Sequence, residues 1–89
     1  MITLESALRL HPQVALRPEP FGALAYHYGN RRLVFLKHPD VVSVVCELES
    51  HDSVGATLAA CGVAERRWPT FVKALDSLHE SDVVCERAR

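Results

Sequence analysis

The sequence predicts an α+β fold in one small domain: a three-stranded antiparallel β-meander followed by three α-helices, a winged-helix-like βββααα order. Three observations lead there. Extended, partly alternating segments bounded by Pro and Gly run from Gln13 to Lys37. The connections between them are too short to join parallel neighbours. Beyond Pro39 the apolar residues recur at helical spacing, most cleanly between Trp68 and His79.

The first strand is expected at Gln13–Arg17, between Pro12 and Pro18. Gly22–Tyr28 follows, with Leu24, Tyr26 and Tyr28 alternating against Ala23, Ala25 and His27. Gly29-Asn30 reads as the hairpin turn, because both residues tolerate positive φ. Arg32–Lys37 is the third strand. Pro39 suits the first position of a helix and Asp40 complements its dipole. The valines of Val41–Leu48 favour a strand by propensity, but the Pro-Asp start and the Cys46-Glu47-Leu48-Glu49 ending favour a helix. Ser53 is the expected N-cap of a second helix and Gly62 its stop. In the third helix, Trp68, Phe71, Val72, Leu75, Leu78 and His79 share an arc of roughly 120° at about 100° per residue. Pro69 marks its first turn, and Val83-Val84-Cys85 is a short extended tail. Residues 1–12 are read as an N-terminal segment, 13–85 as the domain and 86–89 as a tail.

Composition narrows the function classes. With 89 residues, 48% of them apolar, the chain can bury one modest core. Ten Lys and Arg against eleven Asp and Glu give no basic excess for nucleic acid and no membrane-surface patch. No apolar run approaches the ~20 residues of a membrane span, and residues 1–10 lack the pattern of a secretory signal. Cys46, Cys61 and Cys85 are an odd number without a CxxC pair, which suits a reducing cytoplasm. The histidines His11, His27, His38, His51 and His79 share no ligand spacing, so no metal is expected. No nucleophile–base arrangement is legible, so nucleophilic catalysis has no support. Cys46 and Cys61 fall at apolar helix positions and read as core packing. Trp68 could anchor an interface, but its place on the apolar arc favours the core.

The third strand carries the chemistry of interest. Both outer strands of a meander are edges, with unpaired N–H and C=O groups that another chain can pair with. Pro12 and Pro18 blunt the first edge, whereas Arg32-Leu33-Val34-Phe35-Leu36-Lys37 contains no proline. An extended peptide can add there as a fourth strand. Leu33-Val34-Phe35-Leu36 is apolar on both faces, so something should cover the second face. The N-terminal segment, through Ile2, Leu4 and Leu8, and a partner are both open readings. The peptide-binding set expected is Arg31, Arg32, Leu33, Val34, Phe35, Leu36 and Lys37 from the strand, with Phe71, Lys73, Ala74, Leu75 and Leu78 from the third helix. Its cations would steer encounter and register, or simply discourage aggregation.

The stretch Leu10-His11-Pro12-Gln13-Val14-Ala15-Leu16-Arg17-Pro18-Glu19-Pro20-Phe21-Gly22-Ala23-Leu24, continued by Tyr26-His27-Tyr28-Gly29-Asn30-Arg31-Arg32-Leu33-Val34-Phe35-Leu36, resembles the chaperones of mycofactocin biosynthesis. That family is similar to the pyrroloquinoline quinone chaperones and belongs with the precursor-peptide recognition elements. The resemblance implies a non-catalytic, cofactor-free protein that binds the acidic leader of a ribosomally made precursor peptide. It also implies docking on a radical S-adenosylmethionine maturase, which oxidatively decarboxylates the precursor's C-terminal Tyr and cross-links it to the adjacent Val. The chain departs from the wider pattern twice. His51-Asp52-Ser53 stands where Asp-Gly is usual, and Ser81-Asp82 where a Gly usually precedes the last apolar pair. A winged-helix DNA binder and a passive subunit of the maturase are the alternatives. The first lacks a basic recognition helix, since Lys73, Arg66 and Arg67 are offset by Glu65, Asp76 and Glu80.

Overall fold

The computed structural model describes residues 2–87. Its elements are β1 (Leu8–Leu10), β2 (Val14–Glu19), β3 (Gly22–His27), β4 (Leu33–Leu36), α1 (Pro39–Glu47), α2 (Val54–Ala60), α3 (Trp68–Glu80) and β5 (Val84–Glu86). Single 3-10 turns follow α1 and precede α3. The expected meander is β2-β3-β4, antiparallel throughout and followed by the three helices. A second, two-stranded sheet pairs β1 with β5, Leu8 opposite Glu86 and Leu10 opposite Val84. The tail expected at Val83–Cys85 is thus a paired strand, and the N-terminal segment supplies its partner. Of the 86–89 stretch, residues 88 and 89 lie outside the described residues.

The β3–β4 turn differs from its sequence reading. Positive φ falls not on Gly29 or Asn30 but on Arg31, at φ 61. The hairpin loop has four residues: His27 N–H donates to the Arg32 carbonyl at 3.0 Å, and Arg31 N–H to the His27 carbonyl at 2.7 Å. The buried His27 ring holds this loop, its Nδ1 accepting from the N–H groups of Gly29 (3.0 Å) and Asn30 (3.1 Å). Gly22 opens β3 at φ +147, and a Cβ there would lie 2.2 Å from the Leu36 carbonyl oxygen, so only glycine fits.

The valine-rich segment is helical because Val41, Val44, Val45 and Leu48 recur at i, i+3, i+4 and i+7. That spacing puts them on one face toward the core, and burial there outweighs the β preference of valine. Ser53 caps α2, its hydroxyl accepting from Ala56 N–H at 3.1 Å. The next donors, Val54 and Gly55 N–H, reach back to the carbonyls of Ser6 (2.9 Å) and Leu4 (2.8 Å). The N-terminal segment therefore completes the start of α2. Helices α2 and α3 end alike. Val63 N–H donates to Leu58 and Gly62 N–H to Ala59; Val83 N–H donates to Leu78 and Asp82 N–H to His79. These are Schellman closures with one left-handed residue each, Gly62 at φ 75 and Asp82 at φ 61. Asp82 thus takes the conformation for which the wider pattern uses Gly.

The core joins the inner face of the sheet (Ala23, Ala25, Leu36) to Val44, Val45, Leu48, Leu58, Phe71, Leu75 and Leu78, and it includes Ile2, Leu8, Val83 and Val84. Two expectations fail here. Cys46 is solvent-exposed, pointing away from the buried Val44 and Val45, so it does not pack in the core. The N-terminal segment does not cover the outer face of the third strand, because Ile2 and Leu8 are buried in the core while Leu33 and Phe35 are 57% and 59% exposed.

Candidate functional site

β4 is the edge of the main sheet, and its hydrogen-bond register determines which groups are available. Tyr28 N–H donates to Gln13 at 2.8 Å, and His27 N–H to Arg32. Antiparallel pairing alternates. Leu24 and Tyr26 therefore bond toward β2, whereas Ala23 and Ala25 bond toward β4, opposite Leu36 and Val34. It follows that Leu33 and Phe35 turn their N–H and C=O groups to the open side. Among the described residues no other strand pairs with that edge.

Beside the edge lies a groove of about 300 Å³ between β4 and α3. Of the expected set, Val34, Phe35, Leu36, Lys37, Ala74 and Leu78 line it. His38, Val41 and Ser77 complete it and were not anticipated. No local signal marked Val41 or Ser77 as a binding residue, and their place in the groove follows from how α1 and α3 cross the sheet edge. Arg31, Arg32 and Leu33 are exposed but do not line the groove. Phe71 and Leu75 are buried beneath α3, so they support the groove and offer no surface to a ligand. Lys73 lies on the opposite flank of α3, in a larger apolar cleft of about 470 Å³ with Ile2, Leu4, Trp68, Val72 and Asp76. Trp68 is half-buried against the core, its Nε1–H donating to the Val63 carbonyl at 2.8 Å.

Among the described residues the titratable groups show no catalytic arrangement. The rings of His11 and His27 pack at a 44° tilt with centroids 4.4 Å apart, and each Nδ1 already accepts from backbone N–H. Among the described residues no group of three or more His, Cys, Asp or Glu could hold a metal ion. Local desolvation, and then the Glu47 carboxylate, push the Cys46 and Cys61 thiols above their ordinary range, which opposes thiolate formation. No helix among the described residues is long and apolar enough to cross a membrane.

The family model described as the peptide chaperone MftB family matches residues 7–85. The chain belongs to that family. The peptide chaperone MftB of Mycolicibacterium smegmatis is 49% identical over 76 residues, 85% of this chain and 74% of the relative. The Mycobacterium ulcerans relative is 45% identical over 76 residues, 85% of this chain and 70% of its own. The Mycobacterium tuberculosis relative is 42% identical over 79 residues, 89% and 72% respectively. No solved structure matches. Membership makes the chain a chaperone and not an enzyme, and the matched span takes in β1 through most of β5.

Proposed function

We propose that the chain binds the leader of the mycofactocin precursor peptide as a fourth strand on β4 and presents it to a radical S-adenosylmethionine maturase that modifies the C-terminal Val-Tyr. The observation that carries this is the edge itself. In a member of a peptide-chaperone family, a proline-free apolar strand leaves its outer backbone groups without a strand partner beside a groove. Guest residues opposite Val34 and Leu36 would send side chains into the groove over Ala74 and Leu78. Residues flanking the paired stretch would meet Arg31, Arg32 and Lys37, which suits an acidic leader. Three free cysteines fit a reducing cytoplasm as the place of action.

The register dictates the test. Proline at Val34 would remove an N–H that β4 uses internally with Ala25, so it would damage the sheet as well as the site. Proline at Phe35 removes only an open-side donor, which an edge strand tolerates. Calorimetric titration of precursor peptide should show binding to the unsubstituted chain, reduced binding to Phe35→Ala through lost contact area, and a further loss of ~tenfold for Phe35→Pro. Equal affinities of folded Phe35→Ala and Phe35→Pro would exclude strand addition at this edge.

A further inference from the structure

The outer face of the β2–β3–β4 sheet is left uncovered by the fold and by the proposed guest strand alike. Register places Arg17, Leu24 and Phe35 in one row across the three strands, and Ala15, Tyr26 and Leu33 in the next. Phe21 packs edge-on against Phe35, centroids 5.9 Å apart, and Tyr26 against Tyr28 at 4.9 Å. Among the described residues, four of the five exposed large apolar side chains, Phe21, Tyr28, Leu33 and Phe35, belong to this face. A continuous apolar face that includes aromatic side chains marks an interaction surface.

Geometry and charge together select the occupant. A strand added beside β4 touches only that strand's outward side chains. Tyr26 and Leu24 lie one strand further in, about 4.8 Å away, and Arg17 another strand beyond, so a single added peptide cannot cover the face. Its border carries Arg17, Arg31 and Lys37, all exposed, while the whole chain carries a formal charge of -1. Glu19 lies beside Arg17 on the same face and pairs with it at 3.5 Å, and among the described residues Arg31 and Lys37 have no ion pair. A second copy is a poor fit, because stacked on this face it would bring the same excess of cations against Arg17, Arg31 and Lys37, and like charges brought together repel.

We propose that this face docks a protein patch that is apolar at its centre and acidic at its rim, carried by the enzyme that receives the peptide. The assignment rests on the proposed function, since it takes the receiving enzyme from that reading. The face and the guest strand share Leu33 and Phe35, so a docked enzyme lies directly against the strand it is to modify.

The test uses Tyr28→Ser combined with Arg17→Glu, two exposed positions outside β4. The intact double variant, checked by circular dichroism, is titrated separately with precursor peptide and with the radical S-adenosylmethionine enzyme. The expected result is unchanged peptide affinity with enzyme affinity lowered by ~tenfold or more. Peptide binding retained with enzyme affinity unchanged overturns the docking assignment alone. Peptide and enzyme affinity falling together also overturns it, because the face is then part of the peptide site. Absence of peptide binding by the unsubstituted chain overturns the proposed function and this assignment with it. Concentration-dependent dimerisation of the unsubstituted chain, abolished in the variant, assigns the face to a second copy and overturns the docking partner.

Discussion

β4 and the segment leading into β5 are built from similar material and meet opposite fates. Leu33-Val34-Phe35-Leu36 and Val83-Val84-Cys85 are short apolar runs in extended backbone. Each is preceded by a non-glycine residue at φ 61, Arg31 in one case and Asp82 in the other. Val83 and Val84 are 1% exposed, and β5 pairs with β1. Arg87 ties the strand's far end down, its N–H donating to the Ala7 carbonyl at 2.9 Å and its guanidinium to the carbonyls of Glu49 and His51. Among the described residues β4 pairs on one side only, and it leaves Leu33 and Phe35 in solvent. An apolar run therefore marks a closed seam in one place and an available surface in the other, and local sequence does not distinguish the two.

The largest expected effect contrasts the two strands directly. Leu8→Ala, on the β1 side of the closed seam, should cost about 2–5 kcal/mol in urea denaturation, whereas Leu33→Ala should stay within about 0.5 kcal/mol. Comparable losses at both sites would break the contrast. Within β4 the same division should recur between neighbours. Val34→Pro should cost about 1–3 kcal/mol more than Phe35→Pro in the same assay, because only the first removes an internal ladder donor. Ser53→Ala tests the cap local to α2, beside the support that the N-terminal segment gives through Val54 and Gly55. Losing that cap should lower stability by about 1 kcal/mol, with amide exchange rising first at Ala56. The smallest effect concerns the two left-handed entries. Asp82→Gly should raise stability by about 0.5–1 kcal/mol, visible as a melting point a few degrees higher. Arg31→Gly should give a similar gain while slowing peptide association at low salt, since it also removes a rim cation. A gain at Asp82 alone would show that strain is stored only in the closed seam.

The order of the main elements was legible because its signals are local. Pro39, Ser53, Gly62 and the arc from Trp68 to His79 each act over a few residues. The open third edge was likewise readable from the absence of proline and the shortness of the connections. The β1–β5 sheet was not, because residues 8–10 and 84–86 are short, lack turn signals between them and meet only through the collapsed core. The site was legible in part. Val34–Lys37, Ala74 and Leu78 come together, while Lys73 lies on the far flank of α3. A helical arc gives direction around the axis but not which neighbour occupies each flank.

The sequence by itself determined the meander, the three helices and the family, since periodicity, caps and the Leu10–Leu36 motif are carried by nearby residues. Only the tertiary structure decided that the N-terminal segment completes α2 and pairs with β5, leaving the outer sheet face bare. Burial depends on which distant surfaces meet. Ile2 and Leu8 gain more contact inside the helical core than they could across a three-stranded face.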